Sequence, residues 1–222
     1  KGEYSPASKL MAEHLCDKYN CVPVLFAPDL RLNTKQNEMA KHNLMIDVAR
    51  AKGCTHAIMS ATDHFYKKDQ FDFALKQCQT HGYDVSFTKM FTYYKKPTWQ
   101  LTPMEDYYMP FIIRLHGSTR FARVSNYPAY VDPSLQVTTC GAVRIFEPHE
   151  ICMHHYSMVR KDILNKFKNA AASIRWNEQQ RKTFIDEYLN YDINKNPGIE
   201  YFRGRKIKIV EDYFDLGRLN FG

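Results

Sequence analysis

The feature that most constrains this chain is a pair of short apolar runs set between stretches of helical periodicity. Val22 to Phe26 is closed by Ala27-Pro28-Asp29, and Thr55 to Ser60 by the polar turn Ala61-Thr62-Asp63-His64. Runs of this length, bounded by turn residues, read as buried strands. Before the first run, Leu10, Met11, His14, Leu15 and Tyr19 form a helical stripe that opens on Ser5-Pro6. Proline suits a first turn, where its missing N–H costs nothing. Met39, Asn43, Ile46 and Arg50 keep register along a helix from Thr34 to Lys52 that Gly53 stops. A third helix, Asp69 to Thr80, is stopped by Gly82. Helices and strands in alternation predict an α/β fold with a mostly parallel sheet flanked by helices.

After Gly82 the rhythm changes. Residues 84–146 are rich in Tyr, Phe, Val, Thr and Pro and read as strands and long loops. Helical patterning returns from Ser157 to Ala172 and from Asn177 to Leu189, and Ile199 to Phe214 reads as a short strand or two. A length of 222 residues suits one core, and no repeat, low-complexity tract or linker divides it. Aromatic residues reach 14%, with 15 Tyr and 14 Phe. So many rings fill a core or line a cleft that stacks bases and sugars.

The formal net charge of +7 favours a polyanionic partner: nucleic acid, a phosphorylated donor or an anionic membrane surface. The surplus is spread out, with its densest run at Arg203-Gly204-Arg205-Lys206-Ile207-Lys208. Six cysteines without a CxxC pair read as reduced thiols of a cytoplasmic protein. No stretch approaches the roughly 18 apolar residues of a membrane span, and no signal peptide is visible. The chain starts at Lys1 without an initiator Met, which leaves room for residues upstream.

Three segments carry chemistry. In an open α/β sheet ligands bind at the carboxyl ends of strands, and the run Thr55 to Ser60 delivers Asp63 and His64 to that rim. A carboxylate there suits a divalent cation bridging a diphosphate, with histidine tolerated for Mn²⁺. An aspartate in such a turn serves equally as a cap. The second segment is Cys152-Met153-His154-His155-Tyr156-Ser157, followed by Arg160 and Lys161. Adjacent histidines on an extended segment point to opposite faces, so one of the two reaches a given metal. The cations beyond them suit phosphate. The third segment, Thr102 to Tyr108, carries Glu105 and Asp106, either of which can deprotonate an acceptor hydroxyl.

Together these segments resemble the GT-A-fold glycosyltransferases, in particular the family-2-like enzymes of bacteria and bacteriophages. The likeness runs over about residues 30–170, through Lys41-His42-Asn43, Gly53-Cys54-Thr55-His56, Ser60 to Tyr66, Tyr107 to Ile112, Tyr130 to Pro133 and Met153 to Ile163. Val210 to Leu216 fits as well. The most specific stretches are 53–66 and 155–163. The resemblance implies a single GT-A-like (Rossmann-like) domain. Residues 1–82 would form its nucleotide-sugar half, 83–156 its mixed strand-and-loop acceptor half and 157–222 its C-terminal helices. It implies Asp63 as the second aspartate of an Asp-x-Asp metal motif and His154 or His155 as the late histidine ligand, holding Mn²⁺ or Mg²⁺. Lys41, Asn43, Arg160 and Asp63 become donor contacts. Glu105 or Asp106 becomes the catalytic base, and the spelling Met104-Glu105-Asp106 favours Asp106.

Two departures stand out. The first aspartate of the motif is Ala61 here, and the acid that usually follows is His64. The family's first strand, which reads the donor base, is not visible and is expected upstream of Lys1 or dispensed with. The implied activity is metal-dependent transfer of a sugar from a nucleotide-sugar donor in the cytoplasm (the bacterial host's, for a bacteriophage enzyme). Its acceptor is a hydroxymethylated pyrimidine of phage DNA or a surface glycan. The competing reading is a catalytically inactive relative that binds nucleic acid or glycan. A nucleotidyltransferase shares the acidic rim but wants a Gly-rich basic loop, which is not visible.

Overall fold

The computed structural model describes residues 6–169 and 176–219. In chain order its helices are α1 (Pro6–Tyr19), α2 (Thr34–Ala51), α3 (Lys68–His81), α4 (Ile163–Asn169) and α5 (Glu178–Asn190). Its strands are β1 (His56–Ile58), β2 (His64–Phe65), β3 (Val85–Tyr94), β4 (Trp99–Thr102), β5 (Met109–Arg114), β6 (Val143–Ile145), β7 (Cys152–Met158) and β8 (Lys206–Ile209).

β3 is the spine of a mixed sheet ordered β1-β5-β3-β4-β8. Its first half lies between antiparallel β5 and parallel β6, and its second half between antiparallel β4 and parallel β7. β1 extends β5, β8 extends β4 and β2 extends β7, all antiparallel. The α/β class holds, but the expected mostly parallel sheet does not. Parallel pairing needs a crossover for each strand. Here β4 and β5 return beside β3 as antiparallel neighbours, and only β6 and β7 lie parallel to it among the described residues.

Helix ends follow their local chemistry. Asn33 and Gln36 form a reciprocal capping box at the start of α2, and Asn177 and Gln180 form one at α5. Gly82 ends α3 in the left-handed conformation, at φ 63°, and its N–H reaches the Cys78 carbonyl. Ile46 of α2 packs with Val85, Phe87 and Ile113, while Ala74 and Cys78 of α3 pack with Ile112 and Phe146. Ile112 and Ile113 belong to different clusters, so the two helices cover opposite faces of the sheet. Phe167, Phe184 and Tyr188 build a third core with Tyr94, Leu101 and Met158.

Three expectations fail locally. Val22 to Phe26 forms no strand, and Val22 and Leu25 are 56% and 67% exposed. The helix α1 forms, yet its stripe of Leu10, Met11, Leu15 and Tyr19 faces solvent. Ser157 and Met158 belong to β7 rather than to a helix, because Met158 pairs with Tyr94 of β3. Helix α4 begins only at Ile163, and residues 170–172 of that expectation lie outside the described residues. No helix among the described residues is long and apolar enough to cross a membrane.

Candidate metal and anion site

The antiparallel pairing of β2 with β7 builds the site. His64 lies opposite His155 and Phe65 opposite His154, and the Tyr156 N–H donates to the Asp63 carbonyl at 2.9 Å. Asp63 therefore stands at the end of β2 beside the second histidine of the pair. The pleat sends the two histidines to opposite faces. His155 meets the His64 ring edge-on at 5.1 Å, with its Nε2 4.0 Å from Asp63 Oδ2. His154 turns into the aromatic layer, where its Nδ1 and the Tyr93 hydroxyl lie 2.6 Å apart and Phe91, Tyr213 and Phe214 surround the ring.

Asp63, His64 and His155 each offer a ligand atom, all within 4.8 Å of one another. His64 Nε2 lies 3.8 Å from Asp63 Oδ1. Cis ligands around an ion at about 2.1 Å sit roughly 3 Å apart, so binding would draw these side chains inward by about 1 Å. The two rings are not equally ready. The Ala61 N–H donates to His64 Nδ1 at 3.2 Å. Neutral His64 thus carries its proton on Nε2, and it can ligate through that atom only by giving up the amide. His155 has no such restraint, since its buried Nδ1 has no hydrogen-bond partner among the described residues. Two imidazoles and one carboxylate suit Mn²⁺ better than Mg²⁺, which prefers oxygen and water.

Electrostatics keep the rings neutral. Burial lowers His155 to about 4, with His64, Lys166 and Arg160 adding to the effect and Asp63 opposing it. Burial likewise lowers His64. Neutral imidazole is the metal-binding form. Arg160 follows β7 and reaches Asp63 Oδ2 at 3.3 Å through one terminal nitrogen. Beyond it opens a cleft of about 330 Å³ lined by Arg160, Asp162, Asn165 and Lys166.

The remaining residues of interest form no hydrogen bond or ion pair with this cluster among the described residues. Asn43 is committed to the fold: its side chain brackets both the N–H and the carbonyl of Phe121, at 2.7 and 3.0 Å. Lys41 is exposed on α2. Glu105 is held by Arg205 at 2.6 Å, with both side chains largely buried. Asp106 is exposed, and its carbonyl accepts from Lys89 Nζ at 2.7 Å. Sequence reasoning passed over two groups, Lys166 and Arg205. Lys166 stands six residues beyond Arg160 and reaches the site through the first turn of α4, which no sequence spacing marks. Arg205 sits in the densest basic run, yet a close approach of Gly198 to the Gly204 backbone shapes its loop inward. Comparison with known protein families, curated proteins and solved structures finds no match.

Proposed function

We propose that the chain is a divalent-metal-dependent transferase acting on a phosphate-activated substrate. More particularly, it is a glycosyltransferase of GT-A type that uses a nucleotide-sugar donor. The observation that carries this reading is the convergence of Asp63, His155 and Arg160 from two separate chain segments beside an open cleft.

Asp63 and His155 would hold a divalent ion, and His64 could join after releasing the Ala61 amide. When bound, a Mn²⁺ ion supplies Lewis-acid stabilisation of a departing diphosphate. Arg160 then orients phosphate oxygens by charge-assisted hydrogen bonds. Asp106 is the better base, because the carboxylate of Glu105 is already engaged by Arg205. The acceptor hydroxyl, of a hydroxymethylated base in DNA or of a glycan, loses its proton to Asp106 as it attacks the anomeric carbon. The net charge of +7 supports the DNA acceptor, for which binding weakens steeply with salt.

Ala61 and the Glu105–Arg205 pair favour a second reading, a relative that binds the donor without turning it over. Nucleotide-sugar consumption with Mn²⁺ separates the two. The transferase reading expects turnover that falls at least about a hundredfold in Asp63→Ala, as for loss of a preorganised charge at a reacting centre. Donor binding without turnover would establish the binding module instead.

A further inference from the structure

Two cations line the cleft beyond Asp63, and their local chemistry is unusual. Arg160 spends one terminal nitrogen on Asp63, and its side chain stays 36% exposed beside the cleft. Lys166, half-buried in the first turn of α4, pairs with no carboxylate within 4 Å among the described residues. Burial and the repulsion of Arg160 lower its ammonium to about 8, against a weaker attraction from Asp63. Asp162 also lines the cleft, and its Oδ1 accepts the Asn165 N–H at 2.8 Å.

Two cationic side chains that line one open cleft form a seat for an oxyanion. We propose that Arg160 and Lys166 form a phosphate-binding clamp that works without metal, with Lys166 as a ligand-contacting residue and a diphosphate as its ligand. Arg160 offers a planar fork to one phosphoryl group. Lys166 supplies a point charge to the next. A diphosphate rather than a single phosphate is specified by the presence of two cations at one mouth, one of them already sharing Asp63 with the candidate metal ligands. The ligand class rests on the transferase reading, while the clamp itself rests on side chains whose charge needs no ion.

The probe is inorganic pyrophosphate, titrated calorimetrically into the whole chain in EDTA at low ionic strength. The clamp predicts binding without metal. Lys166→Met, which keeps the apolar stem, weakens it about tenfold or more, as for a lost charge-assisted contact. Lys166→Arg restores it, and Lys76→Ala, on the exposed face of α3, leaves it unchanged. Absence of pyrophosphate binding in EDTA overturns the proposal, as does binding that Lys166→Met leaves intact in a variant of normal thermal stability. The two readings fail separately. Metal-free pyrophosphate binding with no response to any nucleotide-sugar keeps the clamp and removes the transferase. A Mn²⁺-dependent nucleotide response that is indifferent to Lys166→Met does the reverse.

Discussion

His154 and His155 are neighbours in the chain with opposite lives in the fold. The sequence alone establishes that one of them can face Asp63, because alternate residues of an extended segment point apart. It cannot say which, because the answer lies in the register of β2 against β7. His154 belongs to the buried aromatic layer, and burial lowers it to about 4. Its unfolded value is about 6.5, so the unfolded chain binds the extra proton between those two values. Stability from this group is present above pH 6.5 and is lost as pH falls towards 4, by about 3 kcal/mol. Urea unfolding at pH 7.5 and pH 4 should show that loss, and His154→Gln should show a correspondingly smaller one. Equal losses in the two proteins would mean that His154 does not sense its burial as described.

At the scale of elements, helices were more legible than strands. Capping residues and glycine stops lie within a few residues of what they terminate, so α2, α3 and α5 are readable within a residue or two. Strand pairing depends on partners far along the chain. The run Val22 to Phe26 has the composition of a strand but does not form one, and among the described residues β1 pairs only with β5. Glu105 and Arg205 illustrate the same limit. Both were visible, one as a candidate base and one in a basic run, but pairing β4 with β8 brings the tail back beside the segment that carries Glu105. With side chains 11% and 14% exposed, this pair is buried enough for its breakage to be costly. Arg205→Met should destabilise the fold by about 3–5 kcal/mol, and adding Glu105→Gln should recover much of that. A loss below about 1 kcal/mol in Arg205→Met would show Glu105 to be uncommitted and restore it as a candidate base.

For the whole molecule, the sheet decides what the site can be. A spine strand that pairs with β6 and then β7 along one length places the β2–β7 pair next to α4. Candidate metal ligands and cations then share one rim, although Asp63 and Lys166 are separated by about a hundred residues of chain. The acidic turn, the histidine segment and Arg160 were legible because each is a short motif with a chemical requirement. The mixed sheet was not, because local patterning specifies an element and leaves its neighbours open. The solvent-facing stripe of α1 has the same origin: periodicity predicts the helix and is silent on what it packs against.

The most direct test of the central claim is thermal unfolding against a panel of nucleoside diphosphates and nucleotide-sugars, each with and without Mn²⁺. A ligand at about 100 times its dissociation constant adds roughly 2.7 kcal/mol, a rise of several degrees. The site described here predicts such a rise for one nucleotide, dependent on Mn²⁺. Asp63→Ala and His155→Ala should abolish it and His154→Gln should preserve it. No rise with any nucleotide, or a rise that survives Asp63→Ala, would contradict a metal-dependent donor site at Asp63 and His155.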